Sequence, residues 1–270
     1  MSQRMLHAAR RHYGTGAFQY GDLHVSQKDP ERGTIVLFHG GFWRARRELS
    51  MTTPFAQSLA DVGWNVWNVE YRRIGQGTWQ ETLRDCRSAL AHVDVLGAEL
   101  GIDTRSLLVV GHSAGGQLAA WASTDAKREG RQVTGLVTLN GVLALSDAAA
   151  REVGNGAVTE FLGGLPSTRQ GAYAVADPIA RLPIGIPTRC LHSKEDERVP
   201  FDLSETFVLG GKQRGDDINL HEVAGHHTAP IEIGTAAWTA ALIAIESLRV
   251  GVAPLPSPSE HATRTDRRSA

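Results

Sequence analysis

Hydrophobic positions along the chain follow two alternating rhythms. Short apolar runs, several of them rich in β-branched residues, occur at 34–38, 65–69, 107–110, 136–139, 188–191 and 219–223, each about the length of a buried strand. Between them, apolar residues return every three or four positions, the spacing of a helix face. The clearest such stretch begins at Trp79, continues through Leu83, Cys86, Leu90, Val93 and Leu100, and stops at Gly101, a residue type that closes helices in the left-handed conformation. Further helices are expected over 54–62, 114–126, 202–212 and 231–248, with an antiparallel edge strand at 17–25. Strands alternating with helices predict an α/β protein, in which a mostly parallel, twisted sheet is covered on both faces.

The rhythm is interrupted between about 141 and 187, a stretch rich in Ala, Gly and Asp with one modest apolar helix signal at 157–162. It is expected to form a short cap excursion, too small for a separate lid domain. A chain of 270 residues suits one α/β domain over 1–250. The Pro-Ser-rich and then Arg-rich segment 251–270 has no periodicity and is expected to be a disordered tail.

Composition narrows the partners. With 41% hydrophobic residues and a formal net charge of -1, the chain can build a core but offers no basic field for nucleic acid or anionic lipid. No apolar run approaches a membrane span, and the first twenty residues lack the apolar core of a secretion signal. A cytoplasmic protein acting on a small molecule is the expectation. Cys86 and Cys190 stand far apart and outside any Cys-x-x-Cys spacing, so neither a disulfide scaffold nor a zinc site is indicated.

The chemistry concentrates at strand ends. Ser113 lies in Gly111-His112-Ser113-Ala114-Gly115, between an expected strand and an expected helix. A serine on such a turn has its hydroxyl raised above the sheet edge, and flanking glycines allow close backbone contacts. His112 is expected to pack behind the turn. After the strand at 34–38 comes His39-Gly40-Gly41-Phe42-Trp43. Its N–H groups at Gly41 and Phe42, with that of Ala114, are candidates for an oxyanion hole, where each donor contributes roughly 3 kcal/mol. His39 is read as a brace for the loop, and Trp43 as a lining of the substrate pocket.

Downstream, two places can supply an acid and a base. Asp196, flanked by its rivals Glu195 and Glu197, follows the strand at 188–191, and His226 follows the last strand directly after Gly225. Histidine titrates near neutrality and can shuttle the serine proton, while a carboxylate fixes its tautomer. Position favours His226 over the adjacent His227. A histidine metal site at His221, His226 and His227 lacks an acidic partner.

Together, His39-Gly40-Gly41-Phe42-Trp43, Glu70-Tyr71-Arg72-Arg73, Gly111 to Gly115, Asp196 before Val199-Pro200, and Gly225-His226 resemble the esterase/lipase group of the α/β-hydrolases that includes kynurenine formamidases. The resemblance implies nucleophile Ser113, acid Asp196, base His226, an oxyanion hole near Gly41, Phe42 and Ala114, and no metal or organic cofactor. It assigns no chemistry to Tyr71 or Arg72. The implied reaction is hydrolysis of a small-molecule ester or amide through an acyl-enzyme. The amide case is an arylformamidase converting N-formylkynurenine to kynurenine and formate, and the alternative is a carboxylesterase or acetyl esterase on short acyl esters. A peptidase of the prolyl-oligopeptidase type and a non-catalytic ligand-binding protein are weaker readings.

Overall fold

The computed structural model describes residues 8–28 and 32–249; the segment expected to be disordered, 251–270, lies outside them. The strands are β1 (Ala9–His12), β2 (Tyr20–His24), β3 (Thr34–Phe38), β4 (Asn65–Val69), β5 (Leu107–His112), β6 (Gly135–Leu139), β7 (Thr188–Ser193) and β8 (Ile218–Val223). They form one sheet in the order β1-β2-β4-β3-β5-β6-β7-β8. β1 and β2 are antiparallel to their neighbours, and every pairing from β4 to β8 is parallel.

Alternation along the buried strands sends side chains to two separate cores. Ile35 and Leu37 of β3, with Leu108 and Val110 of β5, meet α1 (Thr53–Asp61) and α9 (Ala236–Glu246) on one face. Val36, Phe38 and Val109 point the other way, toward α2 (Trp79–Ala91), α3 (Val93–Leu100) and α4 (Ala114–Arg128). A one-residue register slip would swap these sets, so burial on both faces fixes the register. α8 (Asp202–Gln213) packs beside β7 and β8.

Three expectations change in detail. The first is the edge, which is a hairpin: β1 reads Ala-Arg-Arg-His and carries no apolar alternation, and its pairing draws on Arg10, 2.9 Å from Asp22 and stacked over Tyr20. The second is the stretch from Trp79 to Leu100, which bends at His92 into two helices; the first opens on a Thr78–Glu81 capping box and the second closes on Gly101 at φ 70°. The third is the excursion, which is more ordered than its composition implied. It holds α5 (Leu145–Ala150), α6 (Val153–Leu162), α7 (Gln170–Ala176) and a 3₁₀ turn at Pro178–Arg181. Among the described residues, no helix is long and apolar enough to cross a membrane.

Candidate active site

The carboxyl ends of β3, β5, β6, β7 and β8 meet at one edge of the sheet, the place where parallel α/β sheets gather their ligands. Ser113 sits between β5 and α4 with φ 58° and ψ -124°, a conformation that costs a non-glycine residue roughly 1–3 kcal/mol. Close packing holds it there. A Cβ on Gly111 would lie 2.1 Å from the Gly115 carbonyl oxygen, and one on Gly115 would lie 2.1 Å from the Phe38 oxygen. Both glycines of the motif are therefore steric requirements of the turn, because α4 leaves the sheet against β3 with no room for a side chain.

Ser113 Oγ lies 2.9 Å from Nε2 of His227, and His227 Nδ1 lies 2.7 Å from Asp196 Oδ2. The carboxylate accepts from Nδ1–H, which leaves Nε2 as the acceptor for the serine proton. The histidine that reaches the serine is thus His227, and the assignment to His226 is corrected. The His226 ring points outward, its side chain 58% exposed, 3.4 Å from Glu232 and 3.3 Å from Thr228 Oγ1. After β8 the chain turns through Gly225 at φ 100°, so the two histidines face opposite sides of the turn.

Long-range bonds decide which one faces inward. The His227 carbonyl accepts from His112 Nε2–H at 2.9 Å and from Asn140 Nδ2 at 2.7 Å. Asn140, at the end of β6 with φ 49°, also accepts through Oδ1 from the Ser193 N–H at 3.0 Å. One amide therefore ties the end of β7, which leads to Asp196, to the loop bearing His227. The rivals of Asp196 serve the same turn: Glu195 accepts from the Gly225 N–H at 3.2 Å and Glu197 from the His227 N–H at 3.3 Å. Sequence reasoning gave Asn140 no role; its one signal was an amide residue directly after a buried strand.

Asp196 is held on all sides. Its Oδ1 accepts from the Arg198 and Val199 N–H groups at 2.8 and 2.9 Å, and its Oδ2 faces His192 Nε2 at 3.5 Å. Burial raises its pKa, but the hydrogen bonds from His192 and His227 outweigh that and hold the carboxyl well below its ordinary range. His112 moves down too. Full burial, then the neighbouring His227, pushes it to about 3, so it is neutral at physiological pH, with an Nδ1 that meets no hydrogen-bond partner among the described residues.

The loop after β3 lies against the serine. A Cβ on Gly40 would stand 2.9 Å from Ser113 Cβ. Gly41, Phe42 and Trp43 all have positive φ, at 120°, 54° and 56°, a strained run that is braced from within. Tyr71 Oη–H donates to the His39 carbonyl at 2.6 Å, His39 Nδ1–H donates to the Gly40 carbonyl at 2.7 Å, and His39 Nε2 lies 3.1 Å from Glu70. Arg72 instead pairs with Asp85 and Glu81. Ala114, the first residue of α4, has its N–H at the helix N-terminus beside the serine, where orphan donors favour negative charge.

A cavity of about 540 Å³ opens over Ser113 and His227, within the usual range of small-molecule sites. It is lined by residues of two stretches, Phe42, Arg47, Met51 and Pro54 from the first and Thr228, Ile231, Glu232 and Ile233 from the second, and by Arg198. Trp43 does not line it. That indole is wholly buried, stacks on Phe161 at 4.8 Å and donates to Gln117, because the turn at Phe42 sends consecutive side chains in opposite directions. The excursion stays outside this cavity as well. It clamps the loop from behind, with Arg44 donating to the Gly154 and Asn155 carbonyls and to Glu160, and with Gly154 pressed on the Phe42 ring. Among the described residues no cluster of three or more His, Cys, Asp or Glu could hold a metal ion.

The BD-FAE family profile matches residues 22–209, well over half of the chain. The probable carboxylic ester hydrolase LipM of Mycobacterium tuberculosis is 31% identical over 131 residues, covering 44% of this chain and 30% of that protein. The probable isoprenylcysteine alpha-carbonyl methylesterase ICME of Oryza sativa subsp. japonica is 26% identical over 220 residues, covering 74% and 52%. The matched stretches thus span no more than about half the length of these relatives. Among solved structures, the propionate-bound esterase Est2 of Thermogutta terrifontis superposes with a TM-score of 0.70 at 22% identity, over 93% of this chain and 98% of that one. A bacterial heroin esterase gives 0.75 at 23% identity, over 92% and 86%. At such identities the likeness shows the fold, which is that of the α/β-hydrolases.

Proposed function

This chain belongs to the BD-FAE family, and we propose that it is a serine esterase that hydrolyses small-molecule carboxylic esters through an acyl-enzyme. The observation that carries this reading is the continuous line from Ser113 Oγ to His227 at 2.9 Å and on to Asp196 at 2.7 Å, at the floor of a cavity. His227 takes the serine proton as Oγ attacks the carbonyl carbon, and Asp196 stabilises the resulting imidazolium. The N–H groups of Phe42, Gly41 and Ala114 receive the oxyanion, the role for which this fold provides the residue after the nucleophile and the loop after β3. The tetrahedral intermediate collapses as His227 returns the proton to the leaving oxygen. Water, deprotonated by the same histidine, then releases the acid and regenerates Ser113.

Relatives named as ester hydrolases favour an ester over the formyl amide of an arylformamidase. A phosphonofluoridate probe followed by peptide mapping tests the nucleophile: a single adduct on Ser113 is expected, and a folded protein left unlabelled would overturn the proposal. For the base, turnover of a 4-nitrophenyl ester is compared in two variants. His227→Ala is expected to lower kcat/KM by about 10⁴-fold and His226→Ala by less than about twofold. The reverse order would unseat His227.

A further inference from the structure

Three charged side chains line the cavity beside Ser113: Arg47, Arg198 and Glu232. Two of them already have protein partners. Glu232 accepts from Thr228 Oγ1 at 2.5 Å and lies 3.4 Å from His226, while Arg198 donates to Glu197 at 3.2 Å. Arg47 differs. Its hydrogen bonds are made by its backbone, whose N–H donates to the Arg44 carbonyl and whose carbonyl accepts from Arg73. Among the described residues, no acceptor meets its guanidinium.

This free cation stands on a fixed mount. Arg73 is buried and lies 3.3 Å from Glu70, which in turn accepts from the Leu49 N–H and holds His39. The stem of Arg47 crosses the proposed oxyanion loop, since a Cβ on Gly41 would meet Arg47 Cβ at 2.4 Å. The cavity that Arg47 helps to line has several apolar side chains, among them Phe42, Met51, Pro54, Ile231 and Ile233. Nearby Arg44 shows the contrast, because it is paired with Glu160 at 2.7 Å. Arg47 is exposed at the rim of the cavity that holds Ser113, and a cation there that meets no acceptor among the described residues is a group available to a ligand of opposite charge.

We propose that Arg47 receives an anionic group, a carboxylate, on the substrate, so that the preferred esters carry a negative charge on an otherwise apolar body. The inference rests on the esterase reading of the same site. A guanidinium pairs with a carboxylate through parallel N–H donors, and at a solvated rim such a pair changes relative rates by up to about fivefold.

The test is a ratio of kcat/KM values, charged over neutral, for two matched ester pairs. 4-Nitrophenyl hemisuccinate against 4-nitrophenyl butyrate places the charge on the acyl side, and 3-acetoxybenzoate against phenyl acetate places it on the alcohol side. In one pair the ratio is expected to fall up to about fivefold in Arg47→Gln and further in Arg47→Glu, with part restored in Arg47→Lys. The pair that responds identifies the side. In the unaltered protein the same ratio is expected to collapse at about 1 M salt, where the screening length is roughly 3 Å. Each ratio is internal to one protein sample, so a poorly folding variant does not mimic the effect. A ratio that moves by less than about twofold in Arg47→Gln for both pairs overturns the proposal. Absence of turnover on all four esters, with Ser113 unlabelled by a phosphonofluoridate, instead overturns the esterase reading and this inference with it.

Discussion

The turn that carries Ser113 and the turn that carries His227 are joined by one hydrogen bond, yet they are held by opposite means. The serine turn is held by exclusion: Gly111 and Gly115 leave no room for a Cβ against the neighbouring backbone, and the strained φ of Ser113 is the geometry left available. The histidine turn is held by attachment. Its carbonyl accepts from His112 and Asn140, and its N–H groups donate to Glu195 and Glu197. Steric exclusion acts between residues close in sequence or in adjacent strands, whereas attachment recruits side chains from three other strand ends. The first leaves a motif, and the second leaves isolated residues.

The difference can be broken most forcefully at the serine turn. Gly115→Ala is expected to cost about 4 kcal/mol or more, or to prevent folding, because the added methyl meets the Phe38 and His39 oxygens and neither backbone can give way. A urea midpoint close to that of the unaltered protein would show that the turn has slack after all.

Next in size is the tie between the loops that carry Asp196 and His227. Asn140→Ala is expected to lose about 2–3 kcal/mol, from two buried hydrogen bonds and a left-handed residue. It is also expected to lower kcat about 10- to 100-fold with little change in KM. Asn140→Asp is expected to be no more stable than Asn140→Ala, because its buried carboxylate would face the His227 carbonyl oxygen without a donor between them. A kcat left unchanged in Asn140→Ala would show that His227 is held by other contacts.

The smallest effect is a slope against pH. His112 titrates near 3 in the folded protein, below the ordinary value of about 6.5. As pH falls below about 6.5, the unfolded chain binds a proton that the folded chain refuses until about 3. Stability is therefore lost with acid, by up to about 1.4 kcal/mol per pH unit. Asp196, also depressed, adds loss of the same sign only below its ordinary range near 4. Urea melts between about pH 6.5 and 4.5 should show this slope, and His112→Gln should flatten it by about one proton. An unchanged slope would mean that His112 is protonated in the fold.

The parts of the site that were legible in the sequence share a physical property. The parallel core strands, the Gly-x-Ser-x-Gly turn, the loop after β3 and Asp196 on the loop after β7 all follow from local spacing combined with burial. Trp43 was misplaced because a run of positive φ reverses the side-chain directions that a simple loop implies. The β1 strand escaped because its pairing rests on Arg10 with Asp22 and Tyr20 rather than on alternation. The excursion hid its helices because short helices packed under a loop need no long apolar stripe.

For Ser113, sequence alone was sufficient to determine the turn, since contact between backbone atoms leaves glycine as the residue that fits on either side. For the histidine doublet it was not. His226 and His227 have the same chemistry and nearly the same position, and the choice between them depends on φ at Gly225 and on donors from β5 and β6 that reach the His227 carbonyl. Those bonds join residues about a hundred positions apart, and only the folded sheet brings them together.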